Sequence, residues 1–172
     1  MKQYIVTALV ANKSGVLTRV SGLFARRGYN INSLSVCATE DPCSSRMTIV
    51  AEADDATIKQ ITRQLDKLTD VKKVSLLQPD KAVCRELLII KLSMPASARP
   101  EIESTCNIYK AKMIDLSPVS VIAELTGEPN KIDAFIKVVS HYGIIELVRT
   151  GLTALGRGEA SINDLDDHND ML

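Results

Sequence analysis

Polar residues and a glycine separate the first predicted strand from the first predicted helix, in the segment 11–17 (ANKSGVL). A helix N-terminus offers backbone N–H groups without intrahelical partners and the positive end of the helix dipole, which suits a carboxylate. Asn30 follows the same helix, and its amide can accept from an ammonium group or donate to a carboxylate. With Val16, Leu34 and Val36 as a small apolar lining, these groups fit an aliphatic α-amino acid.

The same residues also have a purely structural interpretation. Asn12 or Ser14 can cap the helix, Gly15 can serve the turn, and Asn30 can adopt left-handed geometry after the helix. Judged from residue spacing alone, the structural interpretation is the stronger of the two.

No catalytic motif accompanies this segment. The sequence contains no G-x-S-x-G, no Walker-type loop and no G-x-G-x-x-G after a strand. With only two histidines, His141 and His168, the sequence offers few candidates for a general base. Its four cysteines form no C-x-x-C pair. We therefore expect a chain that is not an enzyme and that holds neither a cofactor nor a metal ion.

The composition excludes several classes of partner. Lys plus Arg equals Asp plus Glu, at 21 each, so no net charge steers the chain toward nucleic acid or an anionic membrane. The predicted strands present Ser, Thr and Ala instead of the aromatic residues on which RNA bases stack. No apolar run approaches the roughly 20 residues of a membrane span, and no signal-peptide pattern opens the chain, so we expect a cytoplasmic protein.

Apolar periodicity in the first half predicts a compact α+β domain. The predicted elements are a strand at 4–11, a first helix, strands at 33–39 and 46–53, a helix over 58–68 and a strand at 71–77. The predicted apolar face of the first helix consists of Val16, Leu17, Val20, Leu23 and Phe24. This β-α-β-β-α-β order is that of the ferredoxin-like arrangement, in which two helices cover one face of a four-stranded antiparallel sheet.

The second half repeats the plan without obvious residue identity. The repeat consists of a strand at 87–92, a helix marked by Ile102, Cys106 and Tyr109, a hairpin of 113–116 and 119–125, a helix over 132–139 and a strand at 144–148. We predict two ferredoxin-like domains in tandem, 1–78 and 79–158. Residues 159–172 are polar and acidic, and we expect them to form a tail without fixed structure.

Separated motifs along the chain resemble those of one family, in the right order. They are NKSGVLTRV at 12–20, GLF at 22–24, RGYNI at 27–31, DPCSSRMT at 41–48, REL at 85–87, IDL at 114–116, KIDAF at 131–135, RTG at 149–151 and GRG at 156–158. Over nearly its whole length the sequence resembles the small subunits of acetolactate (acetohydroxyacid) synthase, whose N-terminal domain is an ACT domain.

The resemblance implies a regulatory subunit that senses valine, the feedback inhibitor, where two ACT domains pair. It implies a homodimer or a dimer of dimers, in which the β1–α1 loop of one chain meets the region of Asn30 of the other. The partner that it implies is a separate catalytic large subunit, which holds thiamine diphosphate, FAD and magnesium. The effector residues carried over from the family are Asn12, Gly15, Val16, Leu17, Asn30 and Ile31.

A different class of function also fits an ACT domain. A stand-alone amino-acid sensor could act on another enzyme or on a transcription regulator. The absence of a helix-turn-helix or a basic segment argues against direct contact with DNA.

Overall fold

The structure, a computed structural model, describes residues 2–164. Its backbone contacts divide the described chain into two units, and each is considered by itself. The first unit contains residues 2–83 together with 152–164, and the second contains residues 84–151.

The first unit has the predicted order of strands and helices. Its elements are β1 (Lys2–Ala11), α1 (Val16–Arg26), β2 (Ile31–Ala38), β3 (Ser44–Ala53), α2 (Asp55–Asp66) and β4 (Val71–Leu77). The antiparallel sheet has the order β2-β3-β1-β4, and β1 pairs with β3 from Lys2 opposite Ala53 to Ala11 opposite Ser44.

Both helices of this unit bury one apolar face against the same face of the sheet. α1 buries Val16, Val20, Leu23 and Phe24, which recur at helical spacing. Leu17, predicted to share that face, is instead 46% exposed, because one residue advances the helix by about 100°. α2 begins at an N-cap aspartate, Asp54, whose side chain accepts a hydrogen bond from the Thr57 N–H at 2.7 Å.

The second unit repeats this architecture. Its elements are β5 (Ala82–Ser93), of which the first two residues belong to the first unit, α3 (Arg99–Tyr109), β6 (Lys112–Leu116), β7 (Ser120–Gly127), α4 (Pro129–Val139) and β8 (Ile144–Arg149). The strands lie in the order β6-β7-β5-β8, with every pairing antiparallel. The predicted tandem of two β-α-β-β-α-β units is confirmed.

The C-terminal part of the described chain returns to the first unit. Strand β9 (Thr153–Gly156) was not predicted. The Leu152 N–H donates to Ser33 Oγ at 2.8 Å, and the Arg157 N–H donates to the Lys81 carbonyl at 2.8 Å. Residues 79–83 and 152–158 therefore group with the first unit, whereas the sequence predicts them in the second domain; the domain boundaries themselves stay a prediction.

The predicted acidic tail, 159–172, lies partly outside the described residues, which end at 164. In the described part, Ile162 is only 5% exposed. The Ser161 N–H donates to the Asp164 carboxylate at 2.8 Å, which closes a short turn.

Candidate effector site

The β1–α1 loop presents the N-terminus of α1 without a side-chain cap. Gly15 is the N-cap residue, with φ at 81°. The capping role suggested for Asn12 or Ser14 is not found, because no side chain among residues 2–164 caps the helix. A Cβ on Gly15 would meet nothing closer than the Arg19 Nη1 at 3.9 Å, so the backbone angle and not crowding requires glycine. The first turn of α1 carries no acidic residue, which leaves the positive end of the helix dipole available to an anion.

Asn12 connects this loop to the β2–β3 turn. Its Nδ2 donates to the Pro42 carbonyl at 2.9 Å, and its backbone N–H donates to the Cys43 carbonyl at 2.9 Å. The Oδ1 of Asn12 has no hydrogen bond within residues 2–164. Asn12 therefore braces the loop and still offers an acceptor, and the sequence does not indicate the bracing role.

A carboxylate holds the β2–β3 turn against which Asn12 packs. Asp41 accepts from Ser44 Oγ at 2.6 Å and from the Cys43 N–H at 2.9 Å, and Lys72 Nζ lies 3.6 Å from its Oδ2. The hydrogen bond from Ser44 lowers the pKa of the Asp41 carboxyl most, followed by the one from the Cys43 N–H, with a smaller contribution from the charge of Lys72. The motif at 41–48 was the sequence signal for this turn.

A salt bridge braces the other side of the loop. Arg19, on α1, lies 2.5 Å from the Asp70 carboxylate, and the Asp70 carbonyl accepts from the Ala11 N–H at 2.7 Å. The β1–α1 loop is thus fixed by contacts from both neighbouring turns. The sequence does not indicate these contacts, because Asp70 lies far from Ala11 and Arg19 along the chain.

The predicted apolar lining divides into core and surface residues. Val16 is 3% exposed and belongs to the core of the first unit, so it anchors the loop and does not line an open site. Leu34 is half-buried and packs against the same core. Leu17 and Val36, by contrast, are exposed.

Asn30 and Ile31 form the second half of the predicted site. Asn30 is exposed, and its Nδ2 donates to Asn32 Oδ1 at 3.4 Å. Asn32 Nδ2 in turn donates to the Glu52 carboxylate at 3.2 Å. Ile31, the first residue of β2, is half-buried against the core.

The register of the sheet separates the two halves within one chain. Ile31 lies opposite Ala51 of β3, and Ala51 lies opposite Tyr4 of β1. Asn12 follows the end of β1, eight residues beyond Tyr4, which corresponds to about 25 Å along the sheet at the usual rise of a strand. One chain therefore brings Asn12, Gly15 and Leu17 together but not with Asn30 and Ile31.

Two properties of the described residues bear on other functions. Across residues 2–164, His, Cys, Asp and Glu side chains form no group of three or more that could hold a metal ion. No helix in that part of the chain has the length and apolar character needed to cross a bilayer.

Comparisons with known proteins identify the family. Residues 85–158 match the family model described as the small subunit of acetolactate synthase, and residues 6–73 match that of the AHAS small subunit-like ACT domain. A probable acetolactate synthase small subunit of Methanothermobacter thermautotrophicus is 47% identical over 160 residues, which covers 92% of this chain and 95% of the relative. The chain belongs to the acetolactate synthase small-subunit family.

Further members of the small-subunit family agree in sequence and in fold. The acetolactate synthase small subunit of Mycolicibacterium smegmatis is 43% identical, with 92% of this chain and 94% of the relative covered. The crystal structure of the small subunit from Thermotoga maritima superposes with a TM-score of 0.87 at 38% identity, covering 93% of this chain and 100% of that one. The resemblance seen in the sequence motifs, with an ACT domain at the N-terminus, is confirmed.

Proposed function

We propose that this chain is the regulatory, non-catalytic small subunit of an acetolactate synthase and that it binds valine where two copies of the first unit meet. One observation carries the proposal: the two halves of the predicted site lie at opposite ends of one sheet. A second copy is therefore needed to bring Asn30 to the β1–α1 loop.

Antiparallel pairing of two β2 strands supplies that arrangement. β2 is an edge strand of the first sheet, and it runs parallel to β1 because both are antiparallel to β3. The end of β2 thus lies at the same end of the sheet as the β1–α1 loop. When two β2 strands pair antiparallel about a twofold axis, the start of one lies beside the end of the other, which produces two equivalent sites.

The groups at such an interface match the parts of valine. The uncapped N-terminus of α1 suits the carboxylate, and the Oδ1 atoms of Asn12 and Asn30 can accept from the ammonium group. The exposed side chains of Leu17 and Val36 offer apolar contact to a short branched side chain.

The chemistry of the reaction belongs to the catalytic large subunit, which we expect to hold thiamine diphosphate, FAD and magnesium. The small subunit activates this partner and makes it sensitive to valine. Such coupling between sites typically amounts to about 1–3 kcal/mol, or roughly 5- to 150-fold in affinity. The stand-alone sensor is the weaker candidate, because the family match covers both units of the chain.

Two substitutions test the site, each in one of its halves. Asn30→Ala removes a polar partner of a charged group and should weaken valine binding by about tenfold to a hundredfold. Gly15→Asp places a carboxylate beside the carboxylate of the ligand and should abolish binding. Calorimetric titration with valine, beside thermal melts of the same samples, measures both effects. Gly158→Asp is the matched control, since Gly158 also has a positive φ, 88°, and a Cβ there would meet nothing.

Mixing the two variants tests whether the site is shared. In a heterodimer of Gly15→Asp and Asn30→Ala chains, one site carries both changes and the other carries neither. Random exchange of subunits should restore about a quarter of the wild-type valine sites. A mixture that binds no more valine than either variant alone would exclude a site built from two chains. Lower melting temperatures with unchanged valine affinity would show that Gly15 and Asn30 serve only the turns.

A further inference from the structure

The helix-free face of the first sheet is covered by the chain's own C-terminal segment, residues 152–162. Thr7, Arg46 and Ser75 point to this face, because their neighbours in the strands pack against the helices. Besides the Leu152–Ser33 and Arg157–Lys81 hydrogen bonds, Thr153 Oγ1 lies 3.5 Å from Ser35 Oγ on β2. The segment thus crosses the face from β2 toward the residues that follow β4.

A cavity of about 410 Å³ remains between the segment and the sheet, wholly within the first unit. This volume lies in the range of small-molecule sites, roughly 300–1,000 Å³. Its lining contains both polar and apolar residues, among them Thr7, Arg46, Lys81, Arg157, Glu159 and Ile162.

Positive charge predominates in this cavity. Arg46, Lys81 and Arg157 bring three cationic side chains, against the single carboxylate of Glu159. Within residues 2–164 none of these three side chains takes part in a hydrogen bond or a salt bridge, whereas Arg19 and Arg149 are both paired with carboxylates. Unpaired cations around a concave surface raise the local concentration of anions.

One residue of the cavity lining, Thr7, carries a polar atom that needs a partner. Thr7 is 1% exposed, and its Oγ1 is the buried side-chain oxygen or nitrogen for which no hydrogen bond is found in the described part of the chain. Buried hydroxyl groups are almost always hydrogen-bonded in native proteins. Thr7 is among the residues that line the cavity, so rotation of its side chain would turn the hydroxyl toward an occupant, which could then supply that partner.

From these observations we propose that the cavity binds a small organic anion, at a site distinct from the β1–α1 loop. Its carboxylate or phosphate group contacts Arg46, Lys81 and Arg157 and accepts a hydrogen bond from the Thr7 hydroxyl. Its carbon part packs against the apolar side chains of Leu155 and Ile162. The site does not depend on the valine site or on the dimer proposed above.

Titration of the full chain tests the proposal. Succinate, glucose 6-phosphate and inorganic phosphate are added at constant ionic strength to about 10 mM, where even a millimolar site fills, while amide chemical shifts are followed by NMR. We expect saturable shifts at the cavity residues with at least one probe. Saturation by succinate alone assigns a carboxylate ligand, and saturation by either phosphate probe assigns a phosphate ligand.

Matched variants separate a built site from general attraction to positive charge. Arg157→Gln should weaken binding by about tenfold or more. Arg63→Gln removes the same charge from the exposed last turn of α2 and should leave the affinity unchanged. Saturation by none of the probes, or equal weakening in both variants, would overturn the proposal. Valine titration of the same samples keeps this result separate from the function proposed above.

Thr7→Val provides a second readout that does not rely on charge. The substitution removes an unpaired buried hydroxyl at nearly constant shape, so the anion-free protein should melt at a higher temperature. The same substitution should weaken anion binding, because the ligand loses a donor. Anion affinity that is unchanged in both Thr7→Val and Arg157→Gln, with the fold intact, would remove the site.

Discussion

The β2–β3 turn of the first unit is held by a carboxylate, and the corresponding β6–β7 turn of the second unit is held by a hydroxyl. Asp41 accepts from Ser44 and from the Cys43 N–H, with Lys72 beside it. Ser117 Oγ accepts from the Ser120 N–H at 2.9 Å and from the Val119 N–H at 3.3 Å. The same hairpin is therefore closed by an ionised group in one unit and by a neutral group in the other.

The outer surfaces of the two units also differ in polarity, and the first unit is again the more polar one. Of the large apolar side chains that are exposed between residues 2 and 164, nine belong to the second unit and three to the first. Those of the second unit are Ile108, Met113, Ile114, Leu116, Val119, Val138, Ile145, Leu147 and Val148, and those of the first are Leu17, Val36 and Leu155. The first unit instead gathers polar loops and cationic side chains.

This contrast shows how one architecture is used twice. The buried faces of both units follow the same pattern of Ile, Leu, Val and one phenylalanine, so they specify the same fold. The residues that do not face the core are free to differ, and they decide which kind of partner each unit can bind. A polar first unit suits small charged ligands, and an apolar surface on the second is typical of protein interaction sites.

Truncation of the central phenylalanine of one core should give the largest difference in stability between the two units. Phe135 is fully buried in the second core, with its ring 5.2 Å from that of Tyr109. Phe135→Ala should destabilise the second unit by about 3–5 kcal/mol, because it removes buried apolar surface and leaves a cavity. Denaturant unfolding followed by hydrogen exchange at assigned amides reports each unit by itself.

The mirror variant is Phe24→Ala, in the first core, where Phe24 is 1% exposed. It should loosen the first unit and spare the second. If either variant loosens both units equally, the two cores unfold as one cooperative structure and the comparison between them fails.

An ion pair of the second unit should give the next largest effect. Arg149 donates through Nε to Glu86 at 2.9 Å and through Nη1 to Asp133 at 2.7 Å, and Glu86 is only 8% exposed. Arg149→Ala strands a nearly buried carboxylate, which should cost about 1.5–3 kcal/mol of unfolding free energy. The measurement is urea denaturation of the second unit.

Arg85→Ala is the matched control for this prediction. Arg85 pairs with Glu128 at 3.4 Å, but both side chains are largely exposed, so the substitution should cost no more than about 1 kcal/mol. Equal losses of unfolding free energy in the two variants would show that the burial of Glu86 does not strengthen its ion pair with Arg149.

Periodicity in the sequence predicted both cores because buried faces repeat at helical or strand spacing. The helices and the first eight strands were found in this way, with ends that differ by a few residues. β9 was missed because four residues are too short for a pattern and its position depends on Ser33, which is 119 residues from Leu152. Leu17 was misplaced because an apolar residue next to a helix face resembles a member of that face.

The candidate site was predicted in part for a similar reason. A glycine turn and an asparagine after a helix are local signals, so Gly15 and Asn30 could be selected from sequence. The hydrogen bond from Asn12 to the Pro42 carbonyl is not local, and nothing in the sequence indicates it. The cavity could not be predicted from the sequence either. Thr7, Lys81 and Arg157 come together only when the C-terminal segment returns to the first sheet.

Acid should affect the two hairpins differently, with a smaller effect than either substitution above. The pKa of the Asp41 carboxyl is lowered in the folded chain, first by the hydrogen bond from Ser44. Its stabilising contribution is therefore complete above the unfolded pKa, about 4, and is lost as the pH falls through the lower folded pKa. The Ser117 turn has no such group, so its hairpin should respond less to acid.

Residue-resolved urea midpoints between about pH 7 and pH 3 measure this difference. Asp41→Asn should flatten the pH dependence of the first unit, although Asp54, whose pKa is lowered by its N-cap hydrogen bond from the Thr57 N–H, leaves a residual slope in the same direction. A first-unit profile unchanged by Asp41→Asn would show that the ionised turn adds nothing to stability.

The smallest effect is expected at the exposed apolar surface itself. Ile108, on α3, is 75% exposed, so Ile108→Ser should change the unfolding free energy by no more than about 0.5 kcal/mol. Ile102 lies on the same helix but is fully buried, and Ile102→Val should cost about 0.5–1.5 kcal/mol, which calibrates the measurement within one element. Light scattering of the same samples should show an unchanged molecular mass. A clear loss of stability, or a lower molecular mass, in Ile108→Ser would mean that this surface is already covered in solution. The second unit would then not present more exposed apolar surface than the first.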